Sequence, residues 1–237
     1  MPARGPIALV GSGEFLPAMS ELDRALLEAT GRPRPRVAIL PTASWPDGED
    51  VFRRWASMGV EHFSALGAEV EPVLVRDRFD ADDDGHAQAI GEADLIYLSG
   101  GKPGHVSEAL RGTAVGEALV AAHERGATIA GCSAGAMTIA ARHWDTRAKR
   151  LFWPLRWRSG LGLVSGATVI PHYDAFPEAF AAMIVLQAPH DVATIGIDEE
   201  TAIVGNDGAW QVHGRGRATV WHGRHRERYR SGEAFRI

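Results

Sequence analysis

The sequence predicts an α/β protein with a mostly parallel sheet, helices on both faces, and antiparallel edge strands near the C-terminus. Three observations carry this. Short apolar runs alternate with helical stretches through the first two thirds of the chain. Those runs, such as "VAIL", "LIYL" and "TIAG", are apolar throughout, as strands covered on both faces are. The last third changes to short strands separated by glycine or Asn-Asp-Gly turns.

Taken in order, "PIALVGSG" reads as a buried strand ending in a glycine turn. "MSELDRALLEAT" is helical, with Leu22, Leu26 and Ala29 on one face; Gly31 stops it, and Pro33 and Pro35 follow. "RVAILPTAS" is a strand and loop, "DVFRRWASMGVEHFSALG" a helix, and "EVEPVLVRD" a strand. A short helix in "DDDGHAQAIGEA" precedes the strand "DLIYLSGG". The helix "AVGEALVAAHERG" leads to the strand "ATIAGCS" and a helix over "AGAMTIAAR". A tryptophan-rich segment, the strand "ATVIP" and a helix over residues 177–186 follow. "ATIGIDEE", "TAIVGNDG", "AWQVHGRG" and "RATVWHGRHRERYRSG" read as antiparallel pairs at the sheet edge. With no linker in view, residues 1–237 are expected to form one domain.

Composition narrows the function classes. A net charge of -5 offers no general attraction to nucleic acid or anionic membrane. A single cysteine excludes an internal disulfide and suits a reducing cytoplasm. The stretch "MPARGPIALVGSG" has no long apolar region, so no signal peptide is expected. A homodimer is an open alternative to a monomer.

The chemistry centres on Gly131-Cys132-Ser133-Ala134-Gly135, which matches G-x-S-x-G between a predicted strand and a predicted helix. In that context the central residue sits at a sharp turn beside helix N–H groups, which favour developing negative charge. The pattern places Ser133 in the crevice and turns Cys132 toward the core, since side chains alternate along a strand. A tight glycine-rich turn with no chemistry is the alternative. A serine nucleophile needs a base, and the base an orienting acid. His123 and His143 fall in predicted helices and read as surface residues. His172 follows "ATVIP" at a strand end, where such sheets carry their sites. Asp198, Glu199 and Glu200 end another apolar strand, and the residues alone do not choose among them. Asp174 would share the face of His172 in an extended segment rather than reach its far nitrogen.

Together "GGKPGH", "GCSAGA", "VIPHYDAF" and "GIDEETA" resemble the S51 serine peptidases, a family that includes aspartyl dipeptidase (peptidase E) and cyanophycinase. The resemblance spans "LVGSGEF" to "ETAIV" and implies the flavodoxin-like fold of class I glutamine amidotransferases, which carry cysteine at the centre of this turn. It implies a Ser133–His172–Glu199 triad and an oxyanion hole from the N–H groups of Gly101 and Ala134. It implies a serine peptidase cleaving small peptides or an isopeptide bond, with no metal and no cofactor. Gly100, Lys102 and Glu14 are expected near substrate. Lys102 and Pro103 depart from the residues that follow the double glycine in both relatives, so neither known specificity is carried over. A non-catalytic binding protein on this fold, and a hydrolase of non-peptide amides or esters, are the alternatives.

Other motifs carry less. "GSGEF" lacks the full G-x-G-x-x-G fingerprint and reads as one wall of the crevice. "DADDDG" lacks the terminal glutamate of a calcium loop and reads as a turn and helix cap. The arginines of "HGRHRERYRSG" read as edge-strand protection. Trp144, Trp153 and Trp157 are expected in a pocket or lid, over the core, or at a dimer surface.

Overall fold

The computed structural model describes residues 4–146, 154–206 and 208–237. Its elements are β1 (Ile7–Val10), α1 (Ser20–Ala29), β2 (Arg36–Leu40), α2 (Glu49–Ala65), β3 (Glu69–Pro72), α3 (Arg78–Ala81), α4 (Asp84–Glu92) and β4 (Leu95–Leu98). Next come α5 (Pro103–Leu110), α6 (Ala114–Arg125), β5 (Thr128–Cys132), α7 (Ala134–Ile139), β6 (Ala140–Trp144), β7 (Trp157–Ser159), β8 (Val164–Ile170) and α8 (Glu178–Gln187). The chain closes with β9 (Ala193–Ile197), β10 (Thr201–Asn206), β11 (Ala209–Gly214), β12 (Arg217–His222), β13 (His225–Arg230) and β14 (Ala234–Arg236).

The strands form two sheets rather than one. An eight-stranded sheet runs β14-β11-β10-β1-β5-β4-β2-β3, and a six-stranded sheet runs β13-β12-β9-β8-β6-β7. The β1-β5-β4-β2-β3 block is parallel, as is β6-β8-β9, while the remaining pairings are antiparallel. The apolar runs are explained by alternation. Ile7, Leu9, Leu40, Ile96 and Ile129 bury one way, with residues of α4 to α7 and of the second sheet. Ala8, Val10, Ile39, Tyr97 and Cys132 bury the other way, under α1 and α2. Both faces are covered, so neither set of positions tolerates polar residues.

Three sequence expectations need correction. The helix after the sharp turn ends at Ile139, where a helix through Arg142 was expected; the next residues form β6, bonded to β7 and β8. Tertiary pairing overrides the helix preference of "AAR". His143 therefore lies in a strand, fully buried, with Nε2 bonded to Ser107 Oγ at 2.8 Å and Nδ1 to the Trp144 carbonyl at 3.1 Å. His123 is also buried, on the inner face of α6. Helix α5 was not anticipated, although Pro103 at its first position is a common start signal.

Within the acidic run Asp83 caps α4, accepting from the His86 N–H, and Asp77, just before the run, caps α3, accepting from the N–H groups of Phe79 and Asp80. The arginine-rich strand β13 is the exposed edge of the second sheet. Trp144 and Trp157 face each other across β6 and β7, centroids 6.3 Å apart, in a small core with Met137, Ile170 and Ile184. Trp153 lies outside the described residues.

Candidate active site

The loops that leave the C-terminal ends of β1, β2, β4, β5, β8 and β9 carry the candidate residues, the usual place for a site in such sheets. Ser133 follows β5 directly and adopts φ 51°, ψ -109°. The strain is local, since φ is positive and the residue is not glycine; conformations of this kind cost about 1–3 kcal/mol and persist where the surroundings enforce them. Here the main-chain N–H of Ser133 donates to the Val10 carbonyl at 2.9 Å, and Gly135 packs onto the Leu98 carbonyl with no room for a Cβ. Among the described residues, the non-glycine residues with positive φ are Phe15, Ser133, His172 and Glu200. Each is a candidate site residue or the immediate neighbour of one.

Ser133 Oγ lies 3.0 Å from His172 Nε2, and His172 Nδ1 lies 2.8 Å from Glu199 Oε1. The consistent hydrogen placement has Nδ1–H donating to Glu199, leaving Nε2 to accept from the serine hydroxyl. Among three adjacent acids only Glu199 reaches the ring. Asp198 turns inward, accepting from the Arg217 main-chain N–H at 2.9 Å, and Glu200 pairs with Arg215 at 3.0 Å. Alternation after a strand accounts for the choice. The His172 and Glu199 side chains remain 36% and 42% exposed, so the pair faces solvent.

The double-glycine loop shows which amide is free. Ser99 N–H donates to the Leu40 carbonyl, Gly100 N–H to Glu14 Oε1, and Lys102 N–H to the Ala43 carbonyl. No protein acceptor is found for Gly101 N–H among the described residues. Gly101 has φ 141°, and a Cβ there would sit 2.3 Å from the Ala43 oxygen. At the sharp turn, Ser133 N–H is occupied, so Ala134 at the first position of α7 offers the next amide.

The other expected substrate residues are placed differently. Glu14 is buried, and both its oxygens are taken by the protein: Oε1 by Gly100 N–H at 2.8 Å and Oε2 by Cys132 Sγ–H at 2.8 Å. Gly100 is buried beside Ser133, where an added Cβ would lie 3.4 Å from the serine Cβ. Lys102 stands at the rim, 3.3 Å from Asp47. Cys132 is fully buried, as strand alternation predicts, and burial followed by the neighbouring Glu14 charge pushes its thiol well above the ordinary range.

Two supports were not foreseen. Asp174 accepts the Glu199 main-chain N–H at 2.8 Å. The Tyr173 ring lies flat over Gly196 in β9, where a Cβ would come within 2.1 Å of it, and its hydroxyl accepts from Trp221 Nε1 at 3.1 Å. A glycine inside the strand "ATIGI" was the available signal, since such glycines mark close approach.

The fold and this geometry have relatives. Over 225 residues the chain is 27% identical to a cyanophycinase of Trichormus variabilis and to one of Nostoc sp., covering 90% of this chain and 72% of each relative. The crystal structure of a peptidase from an acI-B1 Actinobacterium superposes with a TM-score of 0.88 at 30% identity, covering 99% of this chain and 97% of that one. The fold is shared more distantly with a candidate Peptidase E of Listeria monocytogenes EGD-e, at TM-score 0.61 and 18% identity, over 96% of this chain and 99% of the other. The family model of peptidase family S51 matches residues 7–213, and the chain belongs to that family.

Proposed function

We propose that this peptidase is a serine hydrolase that cleaves small peptides, or an isopeptide bond, through a Ser133–His172–Glu199 triad and an acyl-enzyme. The observation that carries the reading is the continuous pair of hydrogen bonds from Ser133 Oγ to His172 to Glu199, at 3.0 and 2.8 Å. Ser133 Oγ attacks the amide carbonyl while His172 Nε2 takes its proton. Glu199 holds the ring tautomer and stabilises the imidazolium that forms. The tetrahedral oxyanion is met by the N–H groups of Gly101 and Ala134. One such donor is worth about 3 kcal/mol of barrier. His172 then returns its proton to the leaving amine, and water, activated by the same imidazole, releases the acyl group.

Substrate choice rests with the rim. The Lys102 ammonium, held by Asp47 at 3.3 Å, is placed to exchange that partner for a substrate carboxylate. The match to relatives named cyanophycinase favours a peptide or isopeptide over a simple ester.

A fluorophosphonate probe followed by peptide mapping tests the nucleophile, and a dipeptide library screened beside simple esters tests the substrate class. Labelling at Ser133, with turnover abolished in Ser133→Ala, is expected. Unchanged turnover in Ser133→Ala, or labelling elsewhere, would end the proposal.

A further inference from the structure

We infer that Glu14 is a positioning residue that fixes the oxyanion amide of Gly101 relative to Ser133, with the Cys132 thiol as its second anchor. The inference rests on the proposed role of Ser133 and adds to it a residue that never touches substrate.

The two halves of the oxyanion hole come from different strand ends, the loop after β4 and the turn after β5. Their relative placement must hold to a fraction of an ångström, because donors act only near 2.7–3.1 Å from the oxyanion. Glu14 leaves the end of β1, which lies in the sheet order next to β5. Its carboxylate bridges both halves at once. Oε1 takes Gly100 N–H at 2.8 Å, and Oε2 takes the thiol of Cys132, the residue before Ser133, at 2.8 Å. The bond to Gly100 turns that amide away from the crevice. Gly101 N–H is then the amide of the loop without a protein partner among the described residues. Lys102 N–H, bonded to the Ala43 carbonyl at 2.7 Å, pins the other side.

A buried carboxylate is costly, and this one has no cationic partner among the described residues. It is held by two neutral donors instead. Burial keeps the thiol protonated, so it donates to Glu14 and is withheld from chemistry. A leucine or methionine at position 14 would fill the space without that cost. The carboxylate at this position is explained by what it orients. The cysteine beside the nucleophile is explained in the same way, as a donor to that carboxylate.

The test uses the whole chain and a fluorophosphonate, whose adduct places an oxygen where the oxyanion forms. The inactivation rate constant kinact and the apparent affinity KI are measured separately. Glu14→Met keeps the side-chain length and removes both acceptors. Its kinact is expected to fall about 100-fold or more with KI within about twofold, the size of one lost oxyanion donor. Glu14→Gln retains an acceptor for Gly100 N–H and is expected to lose less than about tenfold. Cys132→Ser keeps a donor and is expected to be faster than Cys132→Ala. A folded Glu14→Met with kinact within threefold of wild type, or with the loss confined to KI, overturns the inference.

Should Glu14→Met fail to fold, Glu14→Asp decides. It keeps the charge and shortens the reach, and a kinact within threefold of wild type overturns the inference there too. Label absent from Ser133 in the wild-type protein would instead overturn the role of Ser133 itself, so the two failures are told apart.

Discussion

The main-chain N–H of Glu199 donates to the Asp174 carboxylate at 2.8 Å, two residues beyond His172. The turn that carries the imidazole thus also anchors the backbone of the carboxylate that orients it. This bond ties the loop after β8 to the loop after β9. Asp174→Ala is expected to lower kcat about tenfold with little change in KM, the effect of roughly 1–1.5 kcal/mol of lost hydrogen bonding. Asp174→Asn keeps an acceptor oxygen and is expected to recover most of that loss. Steady-state kinetics on the two variants check this.

Glu199→Gln keeps the shape of the side chain and removes the charge that, in the proposed mechanism, stabilises the imidazolium. Loss of the orienting acid in a triad costs about 10⁴ in kcat. The half-exposed position of Glu199 allows water to replace part of that charge, so a fall of roughly 10²–10⁴ in kcat is expected. Fluorophosphonate labelling of Ser133 should slow in parallel. A variant that hydrolyses peptide at the wild-type rate would remove Glu199 from the site.

Gly101→Ala is expected to abolish most activity, by at least about 100-fold in kcat. Its φ of 141° is a conformation that L residues rarely adopt, and the new Cβ would meet the Ala43 carbonyl at 2.3 Å. The loop must shift, and the free amide shifts with it. Gly162 also has positive φ, at 76°, but nothing lies within 4 Å of its Cβ position. Gly162→Ala is therefore the control, expected to cost stability without lowering kcat. Thermal melts beside kinetics separate the two.

Much of this was legible in the sequence because it follows from period and position. The parallel block showed itself in runs such as "VAIL" and "LIYL", each with two buried faces. The sharp strand-to-helix turn at Ser133 was readable because glycines flank it between an apolar run and a helix. The choice among Asp198, Glu199 and Glu200 was not, since neighbouring acids differ only in direction once the strand is placed. The second sheet was hidden for a similar reason. "AARHW" has no strand pattern of its own and becomes β6 through pairing with β7 and β8. The bonds of Glu14 were not legible, because its partners, Gly100 and Cys132, lie 86 and 118 residues away.

Trp144→Ala tests the small core behind the site. Trp144 is buried against Trp157, Met137, Ile170 and Ile184, where β6 and β8 meet α8. Truncating a buried aromatic of this size costs about 3–5 kcal/mol, which for a chain of this length lowers Tm by roughly 10 °C. Calorimetry checks the figure. Met137 lies in α7, the helix that begins after Ser133, so kcat at a temperature well below Tm is expected to fall as well.

Asp198→Asn tests the electrostatics beneath the site. Burial first, and the charge of Asp174 second, push the Asp198 carboxyl above the ordinary aspartate value, against the opposing pull of its bonds from Arg217. A folded-state pKa above the unfolded one means that the folded protein holds the proton more tightly. The stability contributed by this group is therefore complete below the unfolded pKa and is lost as pH rises through the folded value. At neutral pH the wild-type protein carries a buried charge it would be more stable without. Asparagine keeps an acceptor for the Arg217 main-chain N–H, which Asp198 binds at 2.9 Å. Asp198→Asn should then melt no lower than wild type, and by this reasoning slightly higher, at pH 7. The gap should close below about pH 4, where the native aspartate is itself protonated. Paired melts at the two pH values decide it, because every other titrating group is common to both proteins. A variant that melts lower at pH 7 and not at pH 4 would mean that the ion pair of Asp198 with Arg217 Nε, 3.6 Å away, outweighs the cost of burial.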